Sequence, residues 1–440
     1  MVRLLRRVVD VRREELPALG WTWLYFYAVL ASYYVLRPIR DEAGVAGGVD
    51  NLPWLWTGTL IGVAISNPAF AALVARLPRV RFVSWSSRFF ALNLIVFFFV
   101  LRAADGEANI WAGRVFYVWT AVFNLFVPSV FWAFMTDIFS REQAKRLFGI
   151  ISAAGTLGAL TGSLLTATLA EHISPINLLL VSGAFLELSV LAVRRLSTLS
   201  ERLREVRAEA PQEQIIGGNV VAGITHALGS PYLLGISLYM LLFTILSTVL
   251  YFQQAAIVDR TIADRAARTA FFARVDLLTN ALAFVLQLFA FGNLVRAIGI
   301  TLTMAVLPAV SVAGFALLGA YPSVAAVVVF QAVRRAGNFA VARPTREVLF
   351  IVLPREDRYK TKNFIDTFVY RLGDQIGAWS QALLGVIGIG LIGTAWLAVP
   401  ISIVWLVNGL WLGRKQEVLA AGRSEDGQLR TEADLVSRSV

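Results

Sequence analysis

Charged side chains inside long apolar runs mark where this sequence could do chemistry, because a charge in lipid is expensive and needs a reason. One run ends in YYVLRPIRDEAG, which places Arg37, Arg40, Asp41 and Glu42 on its last turns. Pro38 removes a backbone donor there and offers a point at which to kink. A second run reads AAVVVFQAVRRAGNFAVARPTRE, with Arg334 and Arg335 near its middle. Neighbouring helical residues are about 100° apart. One of these arginines is therefore expected to face a cavity and the other a helix interface or a buried partner. A third run reads NFIDTFVYRLGDQIGAWSQ and carries Asp366, Arg371, Asp374 and Gln375. Arg371 shares a helix face with Asp374 and Gln375, and the first two can pair. Guanidinium forks match anionic oxygens in shape and charge. The chemistry expected from these clusters is the binding of an anion.

Composition excludes most catalysis. The chain has no cysteine and only two histidines, His172 and His226. Disulfides, thiolate metal sites, thiol nucleophiles and histidine clusters are thereby removed. Neither a Walker-type phosphate loop nor a G-x-G-x-x-G turn after a strand occurs. No enzymatic activity, cofactor or metal is expected.

The elements that must position these residues are membrane helices. Of 440 residues, 57% are hydrophobic and 16% are charged, whereas about 25% are charged in an ordinary soluble domain. A bilayer can solvate that much apolar surface, and a span takes about 20 apolar residues. Twelve runs qualify, near 20–38, 53–75, 83–102, 112–138, 147–171, 176–195, 232–256, 270–292, 300–319, 323–342, 364–390 and 394–412. The fold class expected is an all-α integral membrane protein with lipid as its surroundings. One loop is long and charged, and it divides the chain into a six-helix half at 1–195, a central loop at 196–230, a second half at 231–413 and a polar tail at 414–440.

Loop charge sets orientation. The side carrying the termini and the central loop has 29 Lys and Arg, against 8 on the other side. Both termini are therefore expected in the cytoplasm, with the protein in the cell inner (plasma) membrane. The basic N-terminus reads as a cytoplasmic amphipathic segment, since no cleavage site follows it.

The halves resemble each other. Gly158 and Gly162 recur 215 residues later as Gly373 and Gly377, and SREQAK at 140–145 loosely matches PREDRYK at 354–360. Six helices return the chain to its starting side, so the two repeats run parallel. This is the plan of the major facilitator superfamily, with a central site between halves. The segment FGNLVRAIG carries Gly292, Leu294, Arg296 and Gly299, which loosely resembles that superfamily's G-x-L-x-x-R-x-G loop with the arginine one position early. Arg296 is expected to latch helix ends during gating. Asp137, Asp276 beside Arg274, and Glu347 are read as interhelical or gating charges.

Three segments resemble the ATP/ADP translocase family of intracellular bacteria and plastids. LRPIRDE at 36–42 is similar to the family's L-R-D-T-K-D. FWAFMTDIFSREQAKRLFG at 131–149 looks like its F-W-G-F-x-N-x…E-A-K-R-F-Y stretch. RPTREVLFIVLPREDRYKTKNFIDTFVYRLGDQIGA at 343–378 resembles its D-P-T-K-E-M-A-Y-I-P-L…K-x-K…D…R-L-G-K-S-G-G run. The resemblance implies a twelve-helix nucleotide antiporter in which basic residues grip phosphates, and it carries over to Arg40, Lys362 and Arg371. Pro38, Arg343 and Asp374 depart from the motifs, the last standing where the family has a lysine.

The reading is a secondary transporter for an organic anion, such as a nucleotide or other phosphorylated metabolite, working by alternating access. Substrate contacts are assigned to Arg37, Arg40, Asp41, Arg334, Arg335, Lys362, Asp366, Arg371, Asp374 and Gln375. The alternatives are a proton-coupled carrier or exporter of a non-nucleotide solute, or a scaffold or sensor that does not transport. Nucleic acid is not an expected partner, and the working unit is read as a monomer.

Overall fold

The computed structural model describes Arg12 and residues 15–76, 79–139, 141–204, 230–289, 291–353, 361–362 and 364–438. The N-terminal basic segment, most of the central loop and the stretch 354–360 lie outside the described residues. Every regular element among the described residues is a helix. In chain order the α-helices are α1 (Leu16–Ala46), α2 (Leu52–Arg76), α3 (Arg79–Ala103), α4 (Gly106–Ile138), α5 (Arg141–Leu169), α6 (Leu178–Arg204), α7 (Pro231–Thr261), α8 (Arg265–Phe289), α9 (Phe291–Ala320), α10 (Val324–Gly337), α11 (Arg343–Ile351), α12 (Tyr370–Val386) and α13 (Leu391–Arg438). Helices α10 and α11 join through a π segment at Asn338–Ala342, and a second π segment at Ile365–Val369 leads into α12. Counting α10 and α11 as one run gives the twelve helices expected. Nine of the described helical stretches are long and apolar enough to cross a membrane by composition alone. The protein is a multi-pass integral membrane protein.

Several boundaries differ from the sequence reading. Helix α1 continues past Pro38 to Ala46 without a break in its helical assignment. In a bilayer, neighbouring groups can re-satisfy the carbonyl that a proline leaves bare. Helix α6 extends to Arg204, past the boundary expected near residue 195. Helix α13 extends through the polar tail to Arg438. The tail is rich in Glu, Leu, Ala and Arg and lacks proline, so its helical propensity outlasts its hydrophobicity. The two π segments have no counterpart in the sequence reading. Each adds a residue to a turn and so changes the face that the following side chains present.

By Cα proximity the chain divides into two compact units. The first is Met1–Glu213 with Val258–Ala281, and the second is Gln214–Ile257 with Leu282–Val440. In the first, α1 packs chiefly on α5, α6 and α4. Its core is strongly aromatic, and Tyr25, Phe26, Phe131 and Phe134 stack or meet edge-on there. Ala270 of α8 belongs to that core. At the start of α1, Glu15 accepts from Arg12 N–H, Gln143 and Arg146. Burial penalises its charge, but these donors outweigh that and hold its pKa below the ordinary carboxylate value. In the second unit α9 lies along α13, and a second core gathers around Trp405, Phe315 and Phe350. Gly299 has φ of +73°, which only glycine adopts readily, and it divides α9 into two segments. Thr301 N–H, at the start of the second segment, donates to Glu417 of α13 at 3.2 Å.

The repeated glycines mark one crossing made twice. In α5, a Cβ on Gly158 would run into Tyr27 O, and one on Gly162 would run into Ala31 O. In α12, a Cβ on Gly373 would meet the Thr244 hydroxyl and Leu241 O, and one on Gly377 would meet Thr248 and Ile245 O. Leu241 and Ile245 lie 214 positions after Tyr27 and Ala31 respectively. Backbones approach this closely where small residues line the seam.

The seam gives opposite signs for two similar substitutions. Gly158→Ala forces backbone apart and should destabilise by about 1–3 kcal/mol. Gly183→Ala on α6 has nothing within 4 Å of the new Cβ, and relief of glycine's entropy cost should stabilise by about 0.5–1 kcal/mol. Thermal unfolding of the detergent-solubilised variants checks this, and equal shifts for both would contradict the close crossing.

Candidate functional site

Each unit gathers one set of the charged residues. In the first, the continuation of α1 to Ala46 brings its charged end, Arg37, Arg40, Asp41 and Glu42, against α4 and α8. Arg40 binds Asp41 through Nη2 at 2.6 Å and Nε at 3.1 Å, and its guanidinium lies 5.0 Å from the Tyr117 ring centre. Arg37 reaches Asp276 of α8 at 3.4 Å and Asp41 at 4.0 Å. Glu42 is buried and takes both oxygens to Arg265, at 2.8 and 3.2 Å. Arg265 also donates to Asn109 Oδ1 at 2.8 Å. Arg274 pairs with Glu171 at 2.8 Å, and Asn280 donates to Ser163 at 3.4 Å. These contacts seat the end of α7 and the first part of α8 in this unit. Charges balance here: Arg37, Arg40 and Arg265 face Asp41, Asp276 and Glu42.

The second unit is different. Arg334 is 2% exposed. Its Nε donates to Ser311 Oγ at 3.2 Å, Nη1 to Ser247 Oγ at 2.8 Å and Nη2 to Phe243 O at 3.0 Å. The rings of Phe243 and Trp405 flank the guanidinium at 5.1 and 5.8 Å. Among the described residues no carboxylate pairs with it. Three of its five N–H donors are used, which leaves two for another acceptor. Arg335, the next residue, is half-buried, so the two differ in environment as their angular separation requires.

Around this arginine stand further pairs. Arg371 and Asp374 approach to 3.7 Å one turn apart on α12, and Asp374 also lies beside the Thr248 hydroxyl. Arg346 of α11 lies 3.6 Å from Asp366 and donates to Met240 Sδ. Lys362 and Glu347 pair with each other at the edge of the same region. Gln375 is half-buried on α12. Arg296 is exposed on the short first segment of α9. Asp137 falls in the last turn of α4, and its side chain lies outside the described residues.

Two features escape the sequence reading. Arg346 occupies the basic position of the Pro-Thr motif, RPTRE against D-P-T-K-E, and that match is the available signal. The platform of α7 is the other. Met240, Phe243, Thr244, Ser247 and Thr248 recur at helical spacing and hold Arg346, Arg334, Gly373 and Asp374. Their signal is three small hydroxyl residues along one stripe of an otherwise apolar helix.

The fold is that of the major facilitator transporters. A bacterial homologue of the iron transporter ferroportin, in an inward-facing state, superposes with a TM-score of 0.63 at 14% identity, covering 90% of this chain and 99% of that one. A bacterial metal transporter gives 0.58 at 14% identity, with 91% and 98% covered. The nucleoside transporter NupG gives 0.54 at 12% identity, with 93% and 99% covered. No family model matches the chain.

By sequence the chain is a distant, full-length homologue of the chlamydial ADP,ATP carrier proteins. It is 24% identical to ADP,ATP carrier protein 1 of Chlamydia trachomatis serovar D, over 95% of this chain and 92% of that protein. The corresponding protein of Chlamydia muridarum is 23% identical, with the same shares covered.

The Arg37–Asp276 pair yields a stability test. Removing one partner of a buried pair leaves the other uncompensated and costs about 3–5 kcal/mol, whereas replacing both with apolar residues is often neutral. Asp276→Leu should lower the thermal midpoint of the protein, and Arg37→Met with Asp276→Leu should recover most of the loss. Simple addition of the two single losses would show that the residues do not act as a pair.

Proposed function

We propose that the protein is a secondary transporter that exchanges organic anions by alternating access, with nucleotides and other phosphorylated metabolites as the substrate class. The observation that carries this reading is Arg334, a guanidinium buried in a membrane helix among hydroxyls, a carbonyl and aromatic rings, with no acidic partner among the described residues. Neutral groups can house such a cation, but an anionic solute answers it better, because charge-assisted bonds are roughly twice as strong as neutral ones. Arg346 and Arg371 each stand beside one aspartate, and both act electrostatically with Arg334 on the same Tyr370. A phosphate reaching Arg371 competes with Asp374 for it. That exchange of partners gives the substrate a differential hold on two conformations, which any substrate-driven switch requires. The names of the chlamydial relatives support nucleotide exchange in particular. The reversed charge at Asp374 keeps other phosphorylated metabolites within the class.

A second reading rests on Asp276 and Asp374, buried acids that each face one arginine. Such acids suit proton coupling, in which protonation rather than substrate releases the arginine.

Counterflow in proteoliposomes separates the two readings. Labelled nucleotide or phosphorylated metabolite should enter only vesicles preloaded with an exchangeable anion, and Arg371→Ala should abolish uptake in protein that still elutes as a folded monodisperse species. Arg334→Gln should reduce uptake by about tenfold or more, the loss of one charge-assisted contact. Uptake that needs no internal anion and collapses with the proton gradient would favour the second reading, and failure of every anion would overturn the first.

A further inference from the structure

A groove of about 620 Å³ lies between α2 and α4 in the first unit, apart from the charged cluster. It is lined by Trp54, Gly58, Trp111, Val115, Val118 and Trp119, with Asn51 and Arg114 at its polar edge. Trp54 is 64% exposed, Trp111 61% and Val115 58%, while both helices are strongly apolar. A surface of this kind faces lipid. Trp54 stands in the first turn of α2, and Arg114 stands eight residues into α4, about 12 Å along its axis. The groove is therefore at the depth where tryptophans gather and long basic side chains reach for headgroups.

Arg114 is the second, independent feature. Its guanidinium lies 4.6 Å from the Trp111 ring centre, and Nη2 donates to Gly47 O at 3.0 Å. No carboxylate pairs with it among the described residues. One donor caps the carbonyl of Gly47 and Nε is buried against the protein, so three N–H bonds on the terminal nitrogens remain for a ligand. A cation at a lipid-facing edge without a counter-charge calls for an anion that arrives with apolar chains attached.

We propose that this groove is a binding site for an anionic phospholipid, with its phosphate on Arg114 and an acyl chain laid along Gly58, Val118 and Trp119. The apolar lining argues against a free anion, which would leave the walls of the groove without an occupant. The fixed positive charge favours lipids of net negative charge over zwitterionic ones. The site is independent of the transport cluster, and Arg114 has no part in that cluster.

The test is native mass spectrometry of the full chain released from nanodiscs of mixed phosphatidylglycerol and phosphatidylcholine. The wild type should retain phosphatidylglycerol in preference to phosphatidylcholine. Arg114→Gln should retain about tenfold less, and Val115→Trp, which fills the groove and leaves the arginine in place, should do the same. Phosphatidylglycerol with brominated acyl chains should quench wild-type tryptophan fluorescence more than that of either variant, in protein whose elution profile is unchanged. Equal retention by wild type and both variants would overturn the proposal. So would equal retention of the two lipids, or displacement of the bound lipid by excess inorganic phosphate.

Discussion

A guanidinium in hydrocarbon must be answered by something, and this requirement organises the interior of the protein. The protein meets it in two ways. In the charged cluster of the first unit Arg37, Arg40 and Arg265 are each answered by a carboxylate, and ion pairs fasten α8 to α1 and to the end of α5. In the second unit Arg334 is answered by hydroxyls, one carbonyl and two rings. A balanced pair resists an incoming anion, because the anion must displace an acid already in place. A cation housed by dipoles does not, since its partners carry no net charge to be expelled. If the substrate is the anion proposed above, the difference gives the two units unequal roles towards it, although they repeat the same helix crossing.

That crossing is the second organising element. Gly158 and Gly162 let α5 lie against the backbone of α1, and Gly373 and Gly377 let α12 lie against α7. The glycines are not themselves part of the chemistry. In the second unit they set the distance at which Asp374 meets Thr248. The helix that bears Arg371 and Asp374 is thus held by its own glycines against the helix that bears Ser247 and Thr248.

Much of this could be read from the sequence, and the rest could not for identifiable reasons. Apolar length marks the helices, since a span has few alternatives in lipid. The i,i+3 spacing of Arg371 and Asp374 marks their pairing, because a helix fixes that distance locally. The partner of Arg37 was not legible, because Asp276 lies on a helix far along the chain and no local rule links them. The hydroxyl platform of α7 was hidden because Ser and Thr in a membrane helix usually bond their own backbone, as Ser247 and Thr248 also do here. The π segments were hidden as well. One extra residue in a turn leaves the hydrophobic pattern almost unchanged while altering where Arg346 and Arg371 point.

The seating of α8 in the first unit has a consequence for how the protein is made. Glu42 is buried against Arg265, which follows it by 223 residues. At ordinary rates of synthesis that separation is roughly 10 to 45 seconds of ribosome time. Through that interval α1 is already in the membrane with Glu42 and Arg37 still waiting for their partners on α8. The nascent first half therefore needs water, lipid headgroups or the insertion machinery itself to shelter those charges. The arrival of α8 is then the event that lets the helix bundle leave that shelter and close.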